Sequence, residues 1–377
     1  MMRRLSAAIL LAAALSAQTR VDPAKVSVVA NGFERVPDEK LVKCEVIPIR
    51  PSLNFGFHFG AGYVVRLPLG QYLGKGHKLA LVTRVTPLGI EKKPEYLISV
   101  LSLPAIPKGK ITLEVGGSFL VGEGKYAVEW MLMDEKGGVC RKGWNIEAKL
   151  GRSERLVKVA LPPLTVSDLS LRGAPRPVQE TLDARPVRIT VMVHAAPMSL
   201  RRTRLRASDK MALLGTLSSL LQRVRTLSVR VVVFNLEQQK EIFRLDPFGP
   251  DALERVSDSM NQLELATVDL RVLQNRRGHV DLLADLVNQE LAEKEPSDVV
   301  VFLGPPARFW DKLPQDLLEK PAGGAPPFFY FQLTPYLRPG EHFSDSIASA
   351  VAKLKGKTMI IHTPGEFAKA IKQAAGF

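Results

Sequence analysis

Several features are scarce or missing in this sequence. After the first 20 residues no apolar run reaches the ~18 positions that a membrane helix needs, so a multi-span membrane protein is excluded. Neither a glycine-rich phosphate loop nor a complete catalytic or metal-binding motif occurs. The chain has 2 cysteines, which lie in no CxxC pair and no Cys/His cluster, so we expect no structural zinc site.

What is present is the composition of an ordinary folded protein. Hydrophobic residues make up 46% and charged residues 24% of the 377 positions. This balance excludes a disordered chain, a collagen and a coiled coil. At roughly 150 residues per domain, the length predicts about two domains.

Positive charge is in excess but is spread along the chain. Lys and Arg number 52 against 38 Asp and Glu, which gives a formal net charge of +14. Residues 18–185 hold 25 basic and 17 acidic residues, and residues 186–377 hold 25 and 21. Since the excess is diffuse and no nucleic-acid-binding motif accompanies it, we expect neither DNA nor RNA as a partner.

Residues 1–17 have the pattern of a secretory signal peptide. Arg3 and Arg4 form a basic start, residues 5–15 are a short run rich in Ala and Leu, and residues 14–17 offer small side chains for cleavage. A buried N-terminal helix is the alternative. The pattern predicts a protein exported to the periplasm or secreted, with no transmembrane segment.

Export would place the two cysteines in an oxidising compartment, where an even count usually means pairing. Cys44 and Cys140 both fall in the strand-rich N-terminal half. We expect a disulfide between them, which would close a loop of about 95 residues. In the chain-entropy model such a bridge stabilises the fold by roughly 4 kcal/mol. Two buried free thiols are the alternative.

Residues 18–165 predict an all-β domain. Short apolar stretches are separated by glycine-containing turn signals such as 60–62, 116–117 and 122–124. Many short strands at regular spacing favour an antiparallel β-sandwich. The predicted strands are 25–30, 42–49, 63–67, 79–86, 96–101, 111–115, 126–133 and 144–148.

One hairpin in this half resembles the immunoglobulin-like domains. Residues 122–128 read Gly-Glu-Gly-Lys-Tyr-Ala-Val and residues 134–138 read Asp-Glu-Lys-Gly-Gly. In that family a Gly-x-Tyr-x-Val strand is followed by a tight polar turn. The resemblance covers about 25 residues, and it implies an immunoglobulin-like recognition or spacer module rather than a catalytic one.

After a proline-containing linker at 166–186 the periodicity changes. Residues 187–377 alternate apolar runs with amphipathic helices, which predicts a doubly wound α/β domain with a mostly parallel sheet covered on both faces. The predicted strands are 187–193, 229–234, 299–303, 328–333 and 358–362. The predicted helices are 208–224, with Ser208 as its N-cap, and 251–263, 280–293, 344–354 and 366–373.

The order of these elements resembles the von Willebrand factor type A family, a Rossmann-type α/β fold. The strand at 187–193, the long helix after it and the strands at 229–234 and 299–303 fall at the family's usual spacing. The resemblance implies a metal-ion-dependent adhesion site at the carboxyl ends of the strands, built from Asp-x-Ser-x-Ser, a Thr and a later Asp. Oxygen ligands of this kind suit Mg²⁺. An unrelated doubly wound fold is the alternative.

This chain carries other residues at the metal-site positions. His194, Ala196 and Met198 replace the Asp, Ser and Ser, His279 lies in the loop that would supply the Thr, and Gly304 stands where the later Asp belongs. Because the carboxylates and hydroxyls are lost, the site is degenerate, and we predict no bound Mg²⁺, no other metal and no cofactor. An adhesion domain that keeps weak metal binding through these replacements is the alternative.

Two other chemistries can be drawn at the same predicted edge. His194 and His279 could approach one another and hold Zn²⁺, but no third ligand accompanies them. Ser199, His279 and Asp281 could form a catalytic triad, but no Gly-x-Ser-x-Gly elbow supports it. We therefore predict no enzymatic activity. A secreted hydrolase with a site at the carboxyl edge of the sheet is the alternative.

The sharpest local feature is an arginine cluster before the helix at 208. Arg201, Arg202, Arg204 and Arg206 lie within six residues, and such a loop would attract anions. We expect it to dock onto an acidic protein, anionic lipid headgroups or an envelope polymer, whereas a solvated loop is the alternative. The leading hypothesis is an exported, non-enzymatic protein-binding scaffold of the bacterial cell envelope.

Overall fold

A computed structural model gives the architecture of the chain. It describes residues 18–21, 33, 40–169, 185–249, 252–263, 272, 274–319, 324–338, 341 and 343–376. The predicted signal peptide at 1–17, the predicted strand at 25–30 and residues 170–184 of the predicted linker lie outside this set.

The contacts of the chain divide it into two compact units. The first unit consists of Met1–Asn54, His58–Leu150 and Val159–Pro175, and the second of Phe55–Phe57, Gly151–Lys158 and Arg176–Phe377. The start of the predicted linker is wrong, because Val166 and Ser167 pair with Val121 and Leu120 as an edge strand of the first unit.

The first unit is built from antiparallel strands. They are β1 (Thr19–Val21), β2 (Glu45–Leu53), β3 (Phe59–Pro68), β4 (His77–Pro87), β5 (Glu95–Leu103), β6 (Thr112–Val121), β7 (Gly124–Asp134), β8 (Val139–Ala148) and β9 (Val166–Ser167). One sheet has the order β1-β5-β4-β7-β8 and the other β2-β3-β6-β9. The two sheets pack face to face, with Tyr63 of β3 against Trp130 of β7 at a ring-centroid distance of 5.4 Å.

A tyrosine side chain fixes the connection between β6 and β7. Tyr126, at the start of β7, is buried and its hydroxyl donates to the carbonyl oxygen of Gly122 at 2.9 Å. The same hydroxyl lies 3.2 Å from the carbonyl oxygen of Thr165, which directly precedes β9.

Cys44 and Cys140 are joined in a disulfide, in agreement with the prediction. Cys44 directly precedes β2 and Cys140 lies in β8, so the bond connects strands of different sheets. Their Cα atoms are 6.3 Å apart and the residues are 96 positions apart in sequence. Both sulfurs lie in the same apolar cluster as Trp130 and Trp144.

Two glycine groups that the sequence favours as turns lie inside strands. Gly62 of β3 pairs with Ser118 of β6, and Gly116 and Gly117 belong to the same β6. A Cβ at Gly62 would come within 2.2 Å of the Gly117 carbonyl oxygen. The glycines therefore permit a close approach between the backbones of β3 and β6. Glycine inside a strand often has this role.

The second unit alternates strands and helices around one six-stranded sheet. Its strands are β10 (Val187–His194), β11 (Thr226–Asn235), β12 (Lys240–Leu245), β13 (Val299–Gly304), β14 (Phe328–Leu333) and β15 (Lys357–Ile361). Its helices are α1 (Ala207–Arg223), α2 (Ala252–Asn261), α3 (Gly278–Leu291), α4 (Ser346–Lys353) and α5 (Pro364–Ala375).

The strand order is β12-β11-β10-β13-β14-β15, and every pair is parallel except β11 with β12. Helices cover both faces. Tyr330 of β14 joins a core with α3 and α4, while the next residue, Phe331, contacts Phe367 of α5, and successive strand residues point to opposite faces. The whole chain is thus β-rich with several sheets, and no described helix has the length and apolar character to cross a membrane.

Candidate functional site

The strand order creates a topological switch point between β10 and β13, which are neighbours in the sheet. From β10 the chain adds β11 and β12 on one side, and it then adds β13, β14 and β15 on the other side. In open α/β sheets, ligands bind outside the carboxyl ends of the strands at such a switch point. His194 ends β10 and Gly304 ends β13, so two of the five positions that the sequence comparison predicted for a degenerate metal site lie at this point.

His194 is buried at this edge. Its Nδ1 lies 3.0 Å from the carbonyl oxygen of Pro305, and its ring stacks on Phe234 of β11 with centroids 5.4 Å apart. Because a carbonyl oxygen only accepts, Nδ1 carries the proton and Nε2 is the bare nitrogen. Nε2 is buried with no hydrogen-bond partner in the described part of the chain. Burial lowers the pKa of His194 to about 4, so the ring is neutral at pH 7.

The two positions expected to carry metal-site serines are apolar and buried. Ala196 and Met198 are 2% and 5% exposed. The backbone holds this loop in place, because the amide of Ala195 donates to the Phe234 carbonyl oxygen at 2.8 Å and the amide of Met198 donates to Asp209 Oδ1 at 3.4 Å. Both side chains therefore pack in the interior and offer no hydroxyl group to a ligand.

Gly304 admits no side chain. Its φ is +153°, and a Cβ at this position would lie 2.6 Å from the carbonyl oxygen of His194. Glycine alone tolerates both conditions at low cost. An aspartate side chain, which the resemblance predicts at this position, would therefore collide with the backbone of β10.

His279 lies in the first turn of α3 and is 3% exposed. Its Nε2 is 2.8 Å from Asp311 Oδ2, and its ring stacks on Phe309 at a centroid distance of 3.9 Å. The structure thus pairs His279 with Asp311 in the loop after β13 rather than with Asp281. No hydrogen bond joins His279 to Ser199 among the residues that the structure describes.

A buried carboxylate at the same edge belongs to Asp345, the N-cap of α4. Its Oδ1 accepts from the Ala348 amide at 2.7 Å, and its Oδ2 accepts from the Ala307 amide at 2.7 Å and from the Tyr330 hydroxyl at 3.0 Å. Burial raises the pKa of Asp345, and these hydrogen bonds oppose the rise. With both oxygens accepting hydrogen bonds, Asp345 connects three segments of the fold.

In the described ranges, no group of three or more His, Cys, Asp or Glu side chains is placed to hold a metal ion.

The arginine cluster occupies the loop that enters α1. The side chains of Arg201, Arg204 and Arg206 are exposed, and none of the three forms an ion pair with a described residue. Arg202 differs from them. Its guanidinium lies 3.7 Å from Asp209 and above the ring of Tyr336 at 5.5 Å.

The N-terminus of α1 fixes the position of the arginine loop. The helix begins at Ala207, and the side chain of Asp209 accepts from the Arg206 amide at 2.9 Å. The N-cap is thus Arg206 rather than the predicted Ser208. Asp209, which is 1% exposed, fixes the loop through both Arg202 and Arg206.

The loop after β13 is tied to the arginine cluster. Arg308 donates a hydrogen bond from Nη2 to the carbonyl oxygen of Arg202, and its Nε lies 3.1 Å from Glu237 Oε1. Burial raises the pKa of Glu237, an effect that the nearby Arg308 opposes. The loops after β10, β11 and β13 therefore meet at this edge.

Four functional candidates at this edge were not predicted from the sequence. Arg276 and Arg277 are exposed and directly precede α3. They lie near the same edge because His279, in the first turn of α3, contacts Phe309 and Asp311 in the loop after β13. Trp310 and Tyr336 are 70% and 61% exposed. Two adjacent arginines before a predicted helix are a detectable signal, but an isolated aromatic residue in a loop is not distinguishable in sequence from a core residue.

The comparisons with known proteins do not name a family. No family model matches the chain, and no curated protein matches it. A structural-genomics target named SoR45 is 11% identical, with 31% of this chain and 96% of that chain covered and a TM-score of 0.18. Two structures of Bacteroides uniformis β-glucuronidases, one of them a calcium-binding mutant of β-glucuronidase 2, are 7% and 8% identical. Each match covers 83% of this chain and 38% of that chain, with TM-scores of 0.20 and 0.19. At such TM-scores these similarities bear on neither fold nor function.

Proposed function

We propose that this protein is an exported, non-enzymatic interaction protein of the bacterial cell envelope. In this proposal an immunoglobulin-like β-sandwich is joined to a von Willebrand factor A-like domain with a degenerate metal-ion-dependent adhesion site. The partner is a protein or an anionic envelope component, bound at the carboxyl edge of the second unit's sheet. The observation that carries the proposal is the exposed, unpaired state of Arg201, Arg204 and Arg206 among the described residues.

The topology supports the assignment of the second unit. Numbered along the chain, its strands have the order 3-2-1-4-5-6, which is the order of doubly wound Rossmann-type sheets. The third strand, β12, runs antiparallel at the edge. For the first unit, the hydrogen bond from the Tyr126 hydroxyl back to the Gly122 carbonyl oxygen resembles the tyrosine corner of immunoglobulin-type sandwiches and supports the immunoglobulin-like assignment.

The contacts at the switch point support binding by charge rather than by a metal. The His194 ring packs on Phe234, Ala196 and Met198 are buried, and Gly304 contacts the neighbouring backbone. The exposed charges nearby are arginines. Arg276 and Arg277 extend the positive edge beyond the loop at 201–206. An array of one charge sign at the rim of a sheet concentrates anions and steers charged partners.

Two further features support the proposal: a disulfide supports export, and the surroundings of His279 support a non-catalytic role. A disulfide persists in oxidising compartments, and Cys44 is bonded to Cys140. His279 is paired with Asp311 and stacked on Phe309. The other ring nitrogen, Nδ1, is buried and the residue is 3% exposed. Since a base must lie within hydrogen-bond reach of the proton that it accepts, this burial favours a structural role for His279.

A charge-reversal experiment tests the proposal. The full chain and its Arg201→Glu/Arg204→Glu/Arg206→Glu variant are compared for retention on vesicles containing phosphatidylglycerol and on a sulfated-dextran column, over a series of salt concentrations. The proposal expects salt-sensitive retention of the wild-type protein and its loss in the variant. Equal retention of the two proteins on both supports would refute it.

A further inference from the structure

A cleft lies in the second unit between the loop after β13 and helix α4. Its volume is about 390 Å³, within the ~300–1,000 Å³ typical of small-molecule sites. The residues that matter for its chemistry are Trp310, Lys312, Ser344, Ser349, Ala352 and Lys353.

One wall of the cleft is an indole ring. Trp310 is 70% exposed, whereas Trp130 is 1% exposed and Trp144 is partly buried. An indole that stays exposed to water does not contribute the favourable free energy that its burial would provide. On α4 the lining residues Ala348, Ser349 and Ala352 are small, so the space beside the indole stays open. A flat apolar ring beside an open space can stack on the apolar face of a ligand.

The rim of the cleft is positively charged. Lys312 and Lys353 are exposed, and neither forms an ion pair with a residue that the structure describes. Asp345 also lines the cleft, but it is 1% exposed and its oxygens accept hydrogen bonds from backbone amides and Tyr330. Its charge is therefore directed into the protein. The hydroxyls of Ser344 and Ser349 add neutral donors and acceptors.

We propose that this cleft binds one carboxylated sugar unit of an acidic polysaccharide. The C–H face of a pyranose ring would stack on Trp310, the ring hydroxyls would exchange hydrogen bonds with Ser344 and Ser349, and the carboxylate would pair with Lys312 and Lys353. The inference goes beyond the proposed function, because the arginine cluster attracts anions in general whereas the cleft selects a sugar ring with a negative charge.

Tryptophan fluorescence of the full chain gives the first test, because Trp310 is the most exposed of the 3 tryptophans. The probes are trigalacturonate, the neutral maltotriose and AMP, which is an anion with a stacking base. The proposal expects a saturable emission change with trigalacturonate and at least about tenfold weaker binding of maltotriose. No saturable change with trigalacturonate, or tighter binding of AMP, overturns it.

Calorimetry on variants gives the second test. Trp310→Ala is expected to weaken trigalacturonate binding at least about tenfold, and Lys312→Gln/Lys353→Gln is expected to lower its affinity to that of maltotriose. Leu227→Ala removes another exposed apolar side chain, 63% exposed on β11, and is expected to bind like the wild type. Unchanged binding in Trp310→Ala overturns the inference.

The same titration separates this inference from the proposed function. The variant Arg201→Glu/Arg204→Glu/Arg206→Glu is expected to bind trigalacturonate like the wild-type protein while losing retention on anionic vesicles. If the variant loses trigalacturonate binding as well, the sugar is bound by the arginine cluster and the cleft assignment is overturned. If vesicle retention is unaffected but Trp310→Ala loses the sugar, the cleft assignment stands and the proposed function fails.

Discussion

His194 donates a hydrogen bond from its Nδ1 to the carbonyl oxygen of Pro305 at 3.0 Å, which joins the end of β10 to the loop after β13. The bond sets the tautomer and leaves Nε2 bare in an apolar pocket against Phe234. Protonation of Nε2 would create a buried charge, and burial accordingly lowers the pKa of His194 to about 4. At the carboxyl edge of the sheet, histidine therefore acts as a neutral packing residue.

The first prediction concerns the pH dependence of stability. The unfolded chain takes up a proton on His194 near pH 6.5, but the folded chain does so only near pH 4. The stability contributed by neutral His194 is therefore complete above pH 6.5 and is lost as pH falls to about 4, by on the order of 3 kcal/mol. Urea unfolding at a series of pH values measures this loss.

The variant His194→Asn isolates the contribution of the imidazole. Its amide nitrogen can replace the Nδ1 donor to Pro305, but it does not titrate. We expect the free energy of unfolding of the variant to decline less steeply than that of the wild type between pH 6.5 and 4. Parallel pH profiles for the two proteins would show that His194 titrates normally in the folded state.

The second prediction concerns the contact between Gly304 and the His194 backbone. Gly304→Ala places a Cβ 2.6 Å from the His194 carbonyl oxygen at a φ of +153°. We expect a loss of about 2 kcal/mol or more in the free energy of unfolding. Gly249→Ala is the matched control, because a Cβ at Gly249 meets no atom within 4 Å. Equal stability of the two variants in thermal and urea unfolding would contradict the prediction.

The third prediction concerns a buried ion network in the second unit. Arg230 Nη1 lies 2.9 Å from Glu290 Oε2, and both side chains are buried. Glu290 also accepts from the Thr190 hydroxyl at 3.0 Å. Arg230→Met leaves the carboxylate of Glu290 buried without its cation, so we expect a loss of roughly 3–5 kcal/mol in urea unfolding.

Two control variants test whether the unpaired carboxylate of Glu290 causes this loss in the free energy of unfolding. Arg188→Met removes the more exposed pair of Arg188 with Glu295 and is expected to cost less than about 1 kcal/mol. Arg230→Met/Glu290→Met removes both charges and is expected to recover part of the lost stability. A double variant less stable than Arg230→Met would argue against the unpaired carboxylate as the cause.

The fourth prediction concerns the disulfide of the first unit. Cys44→Ala/Cys140→Ala frees a segment of 96 residues, and in the chain-entropy model it costs roughly 4 kcal/mol. We expect a lower urea midpoint for the variant, and a similar midpoint for the reduced wild-type protein. Titration of denatured, unreduced wild-type protein with a thiol reagent should find no reactive thiol. Two reactive thiols per chain would show that the bond is absent.

The strands of the second unit were the most predictable part of the fold. The apolar run at 328–333 coincides with β14, and the runs at 187–193 and 299–303 each fall one residue short of the observed strand. Strands buried on both faces of a parallel sheet must be continuously apolar, so their sequences identify them directly.

The elements at the edges were not predictable in the same way. β12 (Lys240–Leu245) carries three charged residues and is only partly buried, because it is an antiparallel edge strand with one side in solvent. Its sequence therefore lacks the apolar run that marks a central strand. Likewise Gly116 and Gly117 indicate a turn until the neighbouring strand β3 is present to require a close approach.

The residue types at the carboxyl edge of the sheet are visible in the sequence, but their pairings are not. The absence of carboxylates and hydroxyls at His194, Ala196, Met198 and Gly304 can be read from the sequence alone. The partner of His279 cannot be read in this way, because Asp311 is 32 positions away and reaches it only through the loop after β13. The cleft beside Trp310 depends on the same loop and on the small residues of α4, which are brought together by tertiary packing.

The most direct measurement of the central claim is salt-dependent retention of matched charge-reversal variants on anionic vesicles. Arg201→Glu/Arg204→Glu/Arg206→Glu is compared with Lys75→Glu/Lys108→Glu/Lys110→Glu, which changes the net charge equally at exposed positions of the first unit. At about 1 kcal/mol for each basic residue near an anionic surface, we expect roughly hundredfold weaker binding for the arginine variant. The lysine variant should be retained nearly like the wild type. Equal weakening of both variants, or no weakening of the arginine variant, would contradict the account.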